Sequence, residues 1–350
     1  MIAPMPSEKN SITGARISSK FMSRRLVQRL GKVPPLPIKD GLNASRVRVP
    51  EEAAGISARD FVEHLINSQR HRSPQDDAAA LDRRFVEELV VDNRSQPYTP
   101  DEPLPAGADV WFYRVPAEEP HVPFECEIIH QDENILVVDK PSYLATMPRG
   151  RHITETALVR MRRSTGIQEL SPAHRLDRLT SGVLVFTAKP EVRGAYQTLF
   201  ARREAMKTYL AVADHDSSLD PTQGPILWES RMEKTPGHIK GEIVEGEPNA
   251  LTWLTKVTPV SDEEQAALEA VHGPLARQAH YELKPETGKT HQLRLHMWAA
   301  GIPILGDPVY PRVYTEEEED MSIPMHLNAR ELTFTDPFSG ELRIFRSTRI

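Results

Sequence analysis

A loop followed by an apolar strand decides how this chain is organised. The loop reads His174-Arg175-Leu176-Asp177-Arg178-Leu179-Thr180-Ser181-Gly182, and the strand Val183-Leu184-Val185-Phe186-Thr187 follows it directly. A short, continuous apolar run predicts a buried strand, so Asp177 is expected on a loop at the rim of a sheet, where rigid scaffolds present functional side chains. The arginines that flank this carboxylate favour its ionised form. An isolated Arg-x-Asp loop is nevertheless more often a structural ion pair than a reactive group.

The sequence on either side of this loop alternates short strands with amphipathic helices. Strands are predicted at residues 135–138, 183–187, 207–212 and 279–283, and helices at residues 156–163 and from Pro190 to about residue 200. Another helix is predicted at residues 291–300, with Thr290 as its N-cap and Gly301 as its stop signal. The single cysteine, Cys126, lies in an alternating, strand-like run and is predicted to be a buried thiol rather than a nucleophile. Residues 119–350 are therefore expected to form one α+β domain.

The first third of the chain has a different composition. Residues 1–45 are rich in lysine and arginine, contain Pro34-Pro35-Leu36-Pro37, and are predicted to form a basic, disordered tail. A mitochondrial targeting segment is the alternative for this tail, because it is also rich in serine and poor in acid. Residues 46–118 are predicted to form a separate small module, with helices at 58–67 and 78–88 and strands at 89–92 and 110–113.

The charges of the chain are unevenly distributed. The formal net charge of −7 argues at first sight against a polyanionic ligand. Acidic residues, however, cluster at 262–264 and 316–320, whereas basic residues cluster at 149–163 and 193–207, so a basic face is compatible with an acidic total. No apolar stretch approaches the roughly 18 residues that a membrane-spanning helix needs. A cytoplasmic protein without a membrane partner is therefore expected.

Three separate segments resemble the motifs of one enzyme family, in the same order. The loop at 174–182 resembles the signature His-Arg-Leu-Asp-x-x-Thr-Ser-Gly of the RluA-type RNA pseudouridine synthases. Residues 134–141, which read Asn-Ile-Leu-Val-Val-Asp-Lys-Pro, resemble the first motif of that family, and residues 286–296 together with 301–307 resemble its third. The resemblance extends over residues 124–345.

This resemblance implies both a fold and an activity. The fold is an α+β catalytic domain on a mixed, largely antiparallel sheet, and the module at 46–118 resembles the S4-like RNA-binding modules. The implied activity is the isomerisation of specific uridines to pseudouridine in structured RNA, without a cofactor and by a monomer. Ribosomal RNA is the expected substrate, because S4-like modules in this family are commonly tied to it. Transfer RNA is one alternative, and a catalytically silent RNA-binding protein on the same fold is another.

The resemblance also implies roles for individual residues. Asp177 would be the nucleophile or catalytic base, Tyr209 the active-site tyrosine, and Arg294 the arginine that pairs with the aspartate. Arg175 would help to hold the RNA once the target base has left its helix. The other residues expected to bind RNA are His174, Arg178, Thr180, Lys140, Lys289, His291 and Gln292.

The chemistry explains why one carboxylate suffices. Isomerisation breaks the bond between C1′ and N1 of the uridine and makes one between C1′ and C5, whereas a glycoside hydrolase needs a second carboxyl group. Asp177 can attack C1′, remove a sugar proton or add to the uracil ring, and the sequence leaves these three routes open. Tyr209 would stack on the uracil and accept the C5 proton at the end.

The third motif contains two histidines that invite a metal-binding interpretation. His291 and His296 lie five residues apart, which on a helix places them about 140° apart, so they cannot bind one ion together and no metal site is expected. The chain departs from the family pattern at Lys289, where arginine is more usual, and at Met147-Pro148, which replaces a common His-Pro. Lysine keeps the charge of arginine but loses its bidentate grip on phosphate.

Overall fold

A computed structural model describes residues 34–235, 237–315 and 318–349 of the chain. These residues fall into two compact units. One contains the described residues up to Lys39 together with Asn43–Ala117, and the other contains Asp40–Leu42 and the chain from Glu118 onward. Most of the predicted basic tail, residues 1–33, lies outside the described residues.

The first unit is a small α+β body with its own core. Strand β1 (Ser45–Arg48) pairs antiparallel with β2 (Asp109–Phe112), and the helices α1 (Ala58–Asn67) and α2 (Ala78–Val86) lie between them in sequence. The side chains of Ser57 and Asp77 cap these helices by accepting backbone hydrogen bonds, which is what their sequence positions predict. The buried core includes Phe61, Val62, Leu81, Leu104, Val110 and Phe112.

Two details of this unit differ from the sequence-based expectation. The predicted strand at 89–92 contributes isolated bridges, from Val91 to Trp111 and to Pro97, whereas the strand partner of β2 is β1. Residues 34–45, which were assigned to the tail, include Leu36 and Ala44, which are buried against Val91 and Trp111. The apolar residues of this stretch therefore have a packing surface that the basic composition did not reveal.

The second unit contains the long elements. Its strands are β3 (Glu127–Gln131), β4 (Ile135–Lys140), β5 (Ser171–Pro172), β6 (Ser181–Thr187), β7 (Met206–Asp214), β8 (Ile226–Glu233), β9 (Glu242–Val244), β10 (Ala250–Pro259), β11 (Gln278–Pro285), β12 (Leu327–Thr335) and β13 (Leu342–Arg346). Its helices are α3 (Ala157–Thr165), α4 (Pro190–Ala201), α5 (Asp262–His272) and α6 (Gln292–Ala299).

Within the described residues these strands form one sheet. The order is β3-β4-β6-β12-β7-β11-β10-β8-β9, with β5 paired to β6 and β13 to β12. Strand β12 runs parallel to β6 through Asn328 and Ala329, and the other pairs are antiparallel. The prediction of a mixed, largely antiparallel sheet is confirmed.

The neighbouring strands β4 and β6 are buried on both faces. Leu136 and Val138 of β4 join one hydrophobic cluster, and Ile135 and Val137 join the cluster on the opposite face. Successive side chains of a strand point to opposite faces, so a strand covered on both sides reads as a continuous apolar run. Helix α3 covers the first face, where Leu158 and Met161 are buried, and α4 covers the second, where Tyr196 and Leu199 are buried.

Gly182 allows β6 to pass close to β12 immediately after the signature loop. Its φ of +109° is rare for residues with a side chain, and a Cβ built there would lie 2.4 Å from the Ala329 carbonyl oxygen. The loop that carries Asp177 is thereby anchored to the middle of the sheet.

Helix α6 begins one residue later than predicted. Its N-cap is His291, in a left-handed conformation with φ 57° and ψ 22° and without a side-chain capping bond, so the predicted Thr290 cap is wrong. Cys126 is buried, as predicted, and burial raises the pKa of its thiol to about 12. Among the described helices, none has the length and apolar character required to cross a membrane.

Candidate active site

The signature loop is held in place by the segment that follows β4. The Lys140 ammonium is fully buried and donates hydrogen bonds to the carbonyl oxygens of Pro141, Leu144 and Arg178, at 2.8, 2.7 and 3.2 Å. Its three protons thus have three acceptors, one of them in the signature loop.

Two hydroxyl groups complete this attachment. Thr146 Oγ1 donates to the Leu176 carbonyl at 2.8 Å and accepts from the Leu176 amide at 3.1 Å, and Ser142 Oγ donates to the Leu179 carbonyl at 2.7 Å. The backbone on both sides of Asp177 is therefore fixed. The loop presents its carboxylate on a rigid support, which is the requirement for precise chemistry.

The Asp177 carboxylate is partly open to solvent. Its side chain is 35% exposed, and the Thr180 amide donates to the Asp177 backbone oxygen at 3.1 Å. The nearest ring nitrogen is His291 Nε2, 4.0 Å from Oδ2. A carboxylate in this setting is reachable by a substrate and is not consumed by a close ion pair.

Several ionisable groups surround this carboxylate. The charge of Asp177 affects the pKa of Lys140, Tyr209, Lys234, His291, Arg294 and Tyr310. The residues come from β4, β7, the segment after β8, and α6 with the loop that follows it. Asp177 therefore lies where four parts of the second unit converge.

Tyr209 projects from β7, opposite Leu283 of β11, and packs against the main hydrophobic cluster. Burial first, and then the negative charge of Asp177, raise the pKa of the Tyr209 phenol. The phenol therefore stays protonated at neutral pH. The charge of Asp177 reaches this phenol, and the role of Tyr209 as the active-site tyrosine stays a prediction.

Arg294 is buried on α6 and is 3% exposed. Its guanidinium donates to Asp307 in a bidentate pair, at 2.7 Å from Nε and 2.6 Å from Nη2, and it lies over the Tyr310 ring at 5.3 Å. Burial would lower the pKa of Arg294, but the hydrogen bonds to Asp307 and the charge of Asp307 outweigh burial and raise it. The expected direct pairing with Asp177 is thus replaced by a pair with Asp307, because Asp307 lies on the adjoining loop and matches the guanidinium fork.

Comparison with known proteins decides which family has this arrangement. A model of the RNA pseudouridylate synthase family matches residues 134–299. The chain is 33% identical over 244 residues to the dual-specificity RNA pseudouridine synthase RluA of Haemophilus influenzae, covering 66% of this chain and 95% of that protein. It is 30% identical to the tRNA pseudouridine synthase C of Vibrio parahaemolyticus, covering 65% of this chain and 91% of that protein. This chain belongs to the RluA-type family of RNA pseudouridine synthases.

The synthase is accordingly an isomerase that converts uridine to pseudouridine in RNA. Among solved structures, it is similar to human RNA pseudouridylate synthase domain containing 1, with a TM-score of 0.48 and 22% identity, covering 66% of this chain and 86% of that chain.

Four of the residues expected to bind RNA lie inside the synthase and have protein partners. Lys140 is committed to three carbonyl groups, and Gln292, 4% exposed, bonds to Thr287 Oγ1, the Lys289 amide and the strand β10. His174 Nε2 accepts from the Val185 amide at 3.2 Å while its ring stacks on Phe200. Thr180 is 4% exposed. The polar groups of Lys140 and Gln292 are bonded within the protein, and RNA binding by these four residues stays a prediction.

The remaining predicted RNA-binding residues lie at the surface or at the site. Arg175 and Lys289 are exposed. Arg178 is ion-paired with Glu319 and lies over the Tyr143 ring at 5.4 Å. His291 faces Asp177.

Sequence reasoning missed four residues of this site. Lys234 follows β8 and its pKa is lowered, by desolvation first and then by nearby arginines, against the opposing charge of Asp177. Asp307 accepts hydrogen bonds from Arg294, and the Tyr310 hydroxyl contacts His291. Glu319 forms an ion pair with Arg178. A signal existed for Asp307, which closes the third motif. For Lys234 and Glu319 the only signal was local charge, which does not indicate a partner.

Proposed function

We propose that Asp177 is the catalytic carboxylate of this synthase, that Tyr209 and Arg294 support it, and that the substrate is structured RNA, with ribosomal RNA ahead of transfer RNA. The observation that carries the proposal is the partly exposed Asp177 carboxylate on a loop fixed from both sides, whose charge reaches the phenol of Tyr209. An anionic group that is both accessible and rigidly held suits attack on, or proton removal from, a ribose.

The reaction needs the uracil to leave, turn and return. The carboxylate of Asp177 serves either as the nucleophile at C1′ or at the uracil ring, or as the base that removes a sugar proton. Tyr209 provides a flat apolar surface on which the detached uracil stacks. Because its phenol is held protonated, Tyr209 is a poor acceptor for the C5 proton, so we assign it the stacking role and leave the proton transfer to another base.

Arg294 acts in this proposal as one half of a buried ion pair rather than as a direct partner of Asp177. Its bidentate pair with Asp307 locks the guanidinium in place under the site, and the Val309 and Tyr310 amides also donate to Asp307. The pair is close to neutral as a unit. Exposed cations open to an RNA phosphate include Lys234, Arg175 and Lys289.

The first unit supports the choice of substrate. The alignment with the Haemophilus influenzae relative covers nearly all of that protein but leaves about a third of this chain unmatched. This chain therefore has an additional part, and its described portion forms a folded unit with two capped helices and its own core. We propose that this unit is an S4-like RNA-binding module that selects the target RNA.

Mapping of pseudouridine in ribosomal and transfer RNA from cells with and without the gene tests the choice of substrate. We expect at least one ribosomal site to lose its pseudouridine and to regain it when wild-type protein, but not Asp177→Asn, is supplied. Loss confined to transfer RNA would assign the other substrate class.

A further inference from the structure

His291 has an unusual backbone and two polar neighbours. It adopts the left-handed conformation, with φ 57° and ψ 22°, immediately before α6, although it is not a glycine. Its side chain is 12% exposed; Nε2 lies 4.0 Å from Asp177 Oδ2, and Nδ1 lies 3.1 Å from the Tyr310 hydroxyl. The backbone conformation directs one edge of the ring to Tyr310 and the other to Asp177.

The surroundings of Tyr310 determine which ring nitrogen carries the proton. The Tyr310 hydroxyl accepts a hydrogen bond from the Gly241 amide at 2.9 Å, so its single proton must go to another group. The Gly241 carbonyl oxygen is 3.4 Å away, whereas His291 Nδ1 is 3.1 Å away. The shorter contact favours Nδ1 as the acceptor, and on this assignment the proton of a neutral imidazole is on Nε2, facing Asp177.

The ring stays neutral in this position. Burial first, and then the positive charges of Arg294 and Lys234, lower the pKa of His291 to about 4, while Asp177 and Asp307 oppose them. At neutral pH the carboxylate therefore faces a neutral N–H donor and not a second cation.

We infer that His291 is a positioning residue, whose Nε2–H binds one oxygen of Asp177 and leaves the other oxygen directed at the ribose. The inference rests on the proposed role of Asp177. The present 4.0 Å separation is about 1 Å longer than a hydrogen bond, and catalytic hydrogen bonds often shorten only in the complex with substrate. Arg294 is less suited to this task, because its Nε and Nη2 are already committed to Asp307.

Two substitutions separate the donor from the rest of the ring. His291→Gln places an amide N–H near the position of Nε2, whereas His291→Asn has a nitrogen only near the position of Nδ1. Turnover is measured as tritium release from RNA labelled with [5-³H]uridine, because the C5 hydrogen is lost when C1′ bonds to C5. We expect kcat to fall on the order of 100-fold in His291→Asn with KM little changed, and most of it to return in His291→Gln.

Controls make the outcomes distinct. His215→Asn makes the same replacement at an exposed histidine outside the site and should match the wild type. If Asp177→Asn were active, the proposed function and this inference would both fall. If Asp177→Asn is inactive while His291→Asn turns over at the wild-type rate, or if both His291 variants are equally impaired, only the inference is overturned.

A spectroscopic measurement tests the same point in the wild-type protein, with His291→Gln used only to assign the signals. In the full-length protein labelled with ¹⁵N-histidine, the signals that vanish in His291→Gln identify the ring. We expect an unprotonated Nδ1 and a protonated Nε2 at neutral pH. A proton on Nδ1 would contradict the inference.

Discussion

At the residue scale, the position of Asp177 depends on buried groups that hold the backbone of its loop. Lys140 was expected to bind RNA, but its ammonium connects the loop after β4 to the carbonyl of Arg178. Burial lowers the pKa of Lys140 to about 7, although the nearby charge of Asp177 opposes this. Burial of an ammonium costs free energy, and we infer that its hydrogen bonds to the three carbonyl groups offset this cost.

Lys140→Met tests this role. The substitution keeps the aliphatic stem but leaves three buried carbonyl oxygens without a donor, each at a cost of roughly 1 kcal/mol or more, partly offset because no ammonium is buried. We expect the free energy of unfolding in urea to drop by about 2–3 kcal/mol and kcat to fall, since the Asp177 loop loosens.

The matched control is Lys189→Met, which removes a surface pair with Glu133 and should change stability by less than about 0.5 kcal/mol. Equal stability and activity in Lys140→Met and wild type would show that Ser142 and Thr146 fix the loop without Lys140.

At the element scale, β6 must pass β12 without a side chain at Gly182. A Cβ there meets the Ala329 nitrogen, carbon and oxygen at 2.6, 2.8 and 2.4 Å, and backbone atoms cannot move aside as a flexible side chain can. We expect Gly182→Ala to destabilise the protein by about 3 kcal/mol, measured by thermal or urea unfolding. Gly194→Ala on α4 is the control: its Cβ meets nothing within 4 Å, and alanine favours a helix, so the protein should gain up to about 1 kcal/mol. An unchanged free energy of unfolding in Gly182→Ala would mean that β6 and β12 move apart at little cost.

The segment at 318–323 offers a second test at this scale. Glu319 forms an ion pair with Arg178 and lies 3.7 Å from Arg151. Its negative charge therefore offsets the positive charge of these side chains next to the signature loop. We expect Glu319→Gln to strengthen RNA binding several-fold and to steepen its salt dependence, because phosphates no longer compete with a carboxylate. Glu318→Gln removes the same charge but releases Arg312 instead, and should have the smaller effect. Indistinguishable RNA affinities in these two variants would contradict the proposed competition.

The same elements show how far sequence reasoning reaches. Residues 135–138 and 183–187 were predicted correctly as strands because burial on both faces leaves an unbroken apolar run. The N-cap at Thr290 was predicted wrongly because the left-handed backbone of His291 is set by its tertiary contacts. Gln292 resembles a surface residue in sequence, since only the fold shows that β10 covers it.

At the scale of the whole molecule, the family and the fold class follow from a few motifs. The pairing of individual charged side chains does not. The pairing of Arg294 with Asp307 joins residues 13 positions apart, and the third motif, which also contains Glu286, does not reveal which carboxylate the arginine selects. Lys234 contributes its positive charge to the site because the chain after β8 runs near Asp177. Such choices depend on three-dimensional distances, and these are not encoded in local patterns.

The whole molecule also contains a folded first unit and a synthase domain, and we propose that its activity rests on the Asp177 carboxylate. The most direct test is pseudouridine formation in cellular RNA by purified wild-type protein and by Asp177→Asn, which has nearly the same size but no negative charge. We expect tritium release from [5-³H]uridine-labelled RNA, with new pseudouridine at defined positions, for the wild type. For Asp177→Asn we expect a rate at least about 10³-fold lower, with RNA binding retained. Pseudouridine formation by Asp177→Asn at a rate near that of the wild type would show that Asp177 is not the catalytic carboxylate.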